Sequence, residues 1–211
     1  WLDQQNGIDY SLRDVRLSLF NEAEQHQLTA KIVLPEQMGK TIHLAVDMNG
    51  DPWLSDQWQA QLYLAGEALS LPAWLMGEPI AGQQVSDGQL DFKIWSEWRA
   101  NQLIQLQGDL VLHDLLLSSG NYEDERRFEY LGGSFDLQAL ELGWQLALSD
   151  MALSYQRHEW VPSDHLIRLD NSDPSAPRVA LASSYLSLGD VSDFLSHLQL
   201  LPAEADIQLM Q

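Results

Sequence analysis

"GDLVLHDLLLS" (108–118) and "GWQLALSDMALS" (143–154) are two copies of one pattern. Leu110, Leu112, Asp114, Leu115, Leu117 and Ser118 align with Leu146, Leu148, Asp150, Met151, Leu153 and Ser154. A third copy, "YSLRDVRLS" (10–18), puts Leu12, Asp14, Val15, Leu17 and Ser18 in register. Each copy alternates apolar and polar residues, the period of a strand with one buried face. At the aspartate the alternation changes parity: Leu110 and Leu112 are even, Leu115 and Leu117 odd. In a regular strand that shift would turn the second half onto the opposite face. One extra residue at Arg13–Asp14, His113–Asp114 and Ser149–Asp150 restores a single face, and such an insertion is a β-bulge or tight bend. Asp suits the place because its short side chain reaches nearby backbone N–H groups. The other reading is a turn between two short strands at each Asp. Bends repeated in several strands would curve the sheet into a half-pipe with an apolar inner wall.

Period two extends outward from these copies. Leu28, Ala30, Ile32 and Leu34 alternate with other residues, as do Ile42, Leu44, Val46 and Met48. "WQAQLYLAG" continues through Ala60, Leu62 and Leu64, and "QLDFKIW" through Leu90, Phe92 and Ile94. Turn signals stand between them at 21–25, 35–40, 49–52 and 170–177. Short strands in consecutive order predict an antiparallel meander of roughly ten to twelve strands, not βαβ units. Two segments read as short helices near 70–77 and 190–199. Ser70 and Pro72 open the first; Asp190, Val191, Phe194 and Leu198 pattern the second, closed by Pro202.

The 211 residues suffice for one large all-β domain or two small ones, and an apolar fraction of 45% is that of a folded chain. A net charge of −20 repels phosphate backbones, which argues against nucleic acid as a partner. Cysteine is absent, so disulfides and thiolate chemistry are excluded. No stretch approaches the ~20 apolar residues of a membrane span.

The sequence shows no motif of known catalytic chemistry. It has no Gly-x-Ser-x-Gly elbow, no HExxH pair and no phosphate-cradling Gly loop. "DMNGD" (47–51) starts like a calcium loop, but Pro52 and Trp58 occupy the Gly and Glu positions, so it reads as an Asn-Gly hairpin turn. His158 and His165, near Glu159 and Asp164, are the one cluster that suggests a metal; exposed loop histidines are the plainer reading. "YEDERRFEY" (122–130) reads as a solvated hairpin, or as a docking surface for a protein. The eight tryptophans, among them Trp53, Trp58, Trp95 and Trp98, would anchor sheet cores or stack on sugars. No enzyme, cofactor or metal site is therefore expected.

The residues resemble a known family. "RDVRLSLFNEAEQHQLTAKIVLPEQMGKTIHLAVDMNGD" (13–51), "GQLDFKIWSEWRANQLIQLQGDLVLHDLLLS" (88–118) and "GWQLALSDMALSYQRHEWVPSDHLIRL" (143–169) are similar to the YhdP branch of the large AsmA-like proteins. The similarity is closest over 8–169 and looser over 178–202; Val161 is inserted where the family has a tight Trp-Pro. The resemblance implies an all-β, elongated and curved antiparallel sheet, a β-taco. It implies a periplasmic protein anchored to the inner membrane by a segment outside this chain, which would form one section (1–211) of a longer repetitive β domain. The implied partners are phospholipid, the remaining sections of the same chain and other envelope proteins. The implied activity is passage of phospholipid between inner and outer membranes through a hydrophobic groove. A structural scaffold and a carbohydrate-binding β-sandwich are the alternatives.

The groove candidates are the apolar positions flanking the bends: Leu110, Leu112, Leu115, Leu117, Leu146, Leu148, Met151 and Leu153. Ile32, Leu34, Ile42, Leu44, Leu62, Leu64, Phe92 and Ile94 follow. The same residues read equally as a closed, dry core. At about 4.8 Å per strand, ten to twelve strands would span roughly 50–60 Å. That is room for one or a few acyl chains of about 15 Å.

Overall fold

The computed structural model describes residues 2–3, 8–9, 12–51, 57–80, 82–118, 125–155, 158–173, 176–187, 189 and 191. Two short strands, β1 (Leu2–Asp3) and β2 (Ile8–Asp9), pair with each other. The remaining strands build one antiparallel sheet. They are β3 (Arg13–Glu22), β4 (Gln25–Val33), β5 (Thr41–Asn49), β6 (Gln59–Ser70), β7 (Gln84–Arg99) and β8 (Gln102–Ser118). They continue with β9 (Arg126–Leu140), β10 (Gly143–Tyr155), β11 (His158–Glu159), β12 (Ser163–Asp170) and β13 (Arg178–Ser183). Their spatial order is the order of the sequence, except that the two-residue β11 joins only β10. The expected meander is therefore present: eleven strands in one open sheet.

The repeat aspartates stand where the register slips. Asp14, Asp114 and Asp150 adopt φ of 51°, 51° and 52°, the left-handed region that Asp tolerates better than most L residues. The β3–β4 ladder shifts between Arg13 and Arg16, and the β10–β12 ladder between Leu148 and Met151. Because β8 and β10 run on through their aspartates, these are bulges within strands, not turns between them. The extra residue keeps one face apolar. Leu112 opposes Leu131, which opposes Leu153, and Leu115 opposes Phe128, which opposes Tyr155.

The aspartates act less through their own side chains than expected. The Asp150 N–H donates to the Asp164 carboxylate at 3.0 Å, while the Asp114 carboxylate pairs with Arg127. A fourth bulge escapes the Asp pattern. Ala68 has φ 49° between paired Gly66 and Leu69, and its N–H donates to Asp91 Oδ1 at 2.9 Å.

One small closed core lies beyond the bulges. Val85, Leu117, Phe128, Leu153 and Tyr155 are buried together, with Leu71, Leu75, Leu115 and Trp160 packed against them. Phe128 and Tyr155 stack with ring centroids 5.0 Å apart. Leu71 and Leu75 belong to α1 (Leu71–Leu75), the first predicted helix. Ser70 holds its N-cap position without a side-chain cap bond, and Met76 ends it in the left-handed conformation. Most of the second predicted helix, 190–199, lies outside the described residues. Val191, which is described, donates its N–H to Ser187 O, the spacing of one helical turn.

Three local readings need correction. β5 and β6 pair Asn49 with Gln59, so the connection is 50–58, not a two-residue Asn-Gly turn. Gly50, at φ 98°, sends its N–H to Glu24 O of the neighbouring hairpin instead of closing its own. Within 122–130, residues 125–130 are described. Arg126 and Phe128 are only 6% and 5% exposed, because this segment opens β9 against the closed core. The alternate residues Glu125 and Arg127 are exposed, as strand period two requires. His165 is not a loop residue: it sits half-buried in β12, paired with Leu148.

Candidate functional site

The two faces of the sheet differ chemically, and the register shows how. Leu19, Leu28, Val46, Leu62, Ser96, Leu106, Leu137, Leu146, Ile167 and Leu181 form one continuous row across ten strands. Ser96 is its single polar side chain. A parallel row runs Ile32, Ile42, Gly66, Phe92, Leu110 and Gly133. Between them Leu44 opposes Leu64, which opposes Ile94. The sixteen predicted groove residues fall on this face by register or strand parity, with Leu34 just past the end of β4.

Only part of this face is covered. Leu117, Leu153 and Leu34 are buried, whereas Leu112, Leu146, Leu148 and Met151 are half-exposed and Leu110 is exposed. Towards the edges Leu19 is 72% and Leu181 62% exposed. Among the described residues, α1 is the one element that packs on the sheet from outside it, and it reaches β6 and β7. A hollow of about 510 Å³ opens on the apolar side, lined by Leu103, Leu106, Phe135, Leu137, Ala139, Gly143, Trp144 and Leu146. A close-fitted glycine forms part of its wall: a Cβ on Gly143 would lie 2.0 Å from Leu169 O.

The opposite face is polar. Gln27, Asp47, Gln61, Glu97, Gln105, Gln138, Gln145 and Arg168 form an unbroken row. Gln27 Nε2 donates to Asp47 at 2.9 Å, and Gln105 Nε2 to both Asp136 oxygens at 3.1 and 3.2 Å. In the adjoining row Tyr63 and Trp95 pair across β6 and β7, ring centroids 5.1 Å apart. Of the tryptophans singled out in the sequence, Trp95 stands here, Trp98 points to the apolar side and Trp53 lies outside the described residues. The polar row was overlooked in the sequence, although the glutamines at alternate positions were its signal.

Among the described residues no three His, Asp or Glu side chains gather as metal ligands, and no helix is long and apolar enough to cross a membrane. These features define a repetitive all-β module that presents long rows of side chains across an open sheet. The chain belongs to the YhdP protein family, whose sequence profile matches residues 1–211. The family is a non-enzymatic one of the bacterial envelope. No curated protein and no solved structure matches this chain.

Proposed function

We propose that this chain is one section of a periplasmic phospholipid conduit and holds acyl chains against its apolar face. The observation that carries the reading is the apolar row crossing ten strands, over most of which no second layer packs among the described residues. Soluble proteins rarely leave so long an apolar surface bare unless a ligand or partner occupies it. Membership in an envelope family supports lipid as that occupant.

The mechanism is solvation. Each acyl chain laid along the row is kept from water, at a gain of about 25 cal/mol per Å² of apolar surface. The bulges at Asp14, Ala68, Asp114 and Asp150 would bend the sheet around that face and turn a wall into a groove. The groove would be passive, so lipid would run down its chemical potential and direction would be imposed elsewhere. Among the described residues β3 pairs within the sheet with β4 alone and β13 with β12 alone, and further strands would continue the groove at these edges.

Native mass spectrometry of the purified chain, with lipid extraction of the same sample, tests this. Near-stoichiometric phospholipid is expected, lost in Leu146→Glu and Leu148→Glu variants whose circular dichroism is unchanged. A protein that stays lipid-free after incubation with phospholipid vesicles would overturn the proposal.

A further inference from the structure

The polar face carries an aromatic pair beside a row of amides and carboxylates. Tyr63 and Trp95 lie side by side on adjacent strands, and Trp95 keeps 38% of its surface exposed. Flanking them is the row Gln27, Asp47, Gln61, Glu97 and Gln105. Rings and row together wall a trough of about 460 Å³ drawn from β4 to β8. Five strands set its length at four intervals, about 19 Å.

Aromatic rings on such a face have an evident cost. A solvated sheet face is ordinarily polar, and two adjacent aromatic rings in a trough on it offer a stacking surface to a partner. The surroundings define that partner. An acyl chain would be poorly served, because amides and carboxylates would lose their water without gaining hydrogen bonds. A phosphate or other polyanion would face Asp47, Glu97 and the nearby Asp136, and the cation of this face closest to Trp95, Lys93, already stands opposite Asp109. A pyranose fits both features. Its C–H face packs on an aromatic ring, while its equatorial hydroxyls meet side-chain amides and carboxylates at the rim. Acetamido sugars add an amide that glutamine can pair with through both its N–H and its C=O.

We propose that the Tyr63–Trp95 trough binds a neutral oligosaccharide of a few sugar rings, with the rings stacking on Trp95 and the Gln27–Gln105 row fixing their orientation. The proposal is independent of the lipid reading, since it uses the other face of the sheet.

The whole chain would be titrated by calorimetry with two probes, a β-1,4 tetramer of N-acetylglucosamine and a β-1,4 tetramer of glucose. Binding of at least one is expected. Trp95→Ala should weaken it about tenfold or more, while Trp95→Phe, which keeps a stacking ring, stays closer to the parent. Gln61→Ala should weaken it without changing the fold seen by circular dichroism. Failure of both tetramers to bind at millimolar concentration would overturn the proposal. So would a Trp95→Ala variant that binds as well as the parent, or preference for a phosphorylated glycan over both neutral tetramers.

Discussion

The ends of β8 and β10 beyond their aspartates and the stretches before them are built from the same alternating leucines, yet they meet different fates. Beyond the bulge, Leu117 and Leu153 are buried with Phe128 and Tyr155 under α1 and Trp160. Before it, Leu110 is exposed and Leu146 and Leu148 are half-exposed, with no second layer against them among the described residues. Apolar patterning therefore decides which face a residue occupies, whereas a covering element decides whether that face is dry.

Truncation separates the two regions most strongly. Phe128→Ala should cost about 3–5 kcal/mol of stability, because it opens a cavity in the closed core. Leu106→Ala, in the open row, should cost about 1 kcal/mol, since little more than partial burial is lost. Urea unfolding of both variants checks the contrast; equal losses would mean the open row is covered after all.

The boundary between the regions is testable next. Asp114→Val places a β-branched residue at φ 51° and should lose about 1–3 kcal/mol, whereas Asp114→Gly should be tolerated. Ala68→Gly should gain about 0.5–1 kcal/mol, because it removes the left-handed strain at φ 49°. Thermal melts of the three variants decide whether backbone conformation or the Asp carboxylate is what each bulge requires.

The smallest effect belongs to the surface. The Lys40 ammonium, 3.0 Å from Glu67 Oε1, holds that carboxyl below its ordinary range. Its folded-state pKa is depressed, so its contribution is present above the unfolded carboxylate's pKa and lost as pH falls through the depressed value. Both groups are well exposed, and solvent screens the pair. Glu67→Gln should lower the melting temperature slightly at neutral pH, and the difference from the parent should vanish in acid.

Much of this was legible in the sequence. Strand alternation, the consecutive order and the parity change at Asp14, Asp114 and Asp150 led directly to the bulged antiparallel sheet. Ala68 was missed because the expectation leaned on Asp, whereas the bulge needs only a residue that can be held at positive φ; Leu64, Gly66 and Leu69 carry the same parity change. The burial of Arg126 and Phe128 was hidden by the charges around them, which set composition but not strand phase. The length of the 50–58 connection was hidden because Gly50 bonds to a different hairpin, a non-local choice no dipeptide records. For the candidate site, Leu62 and Leu146 of the apolar row were expected to face the groove and Leu28 and Val46 to alternate in strands, whereas Leu19, Leu106, Leu137 and Leu181 were not singled out. That they align into a row depends on register across every ladder, as does the pairing of Tyr63 with Trp95.

The consecutive strand order has a consequence for how such a chain is made. Apart from β12, which pairs with β10 across the two-residue β11, each strand of the sheet finds its partner in the strand just before or after it, so the ladders are local in sequence and ask little of chain entropy. A polypeptide threaded through a membrane pore N-terminus first can therefore zip each new strand onto the last as it emerges. No segment has to wait exposed for a distant mate, and duplication of a hairpin can lengthen the sheet without rewiring what is already there.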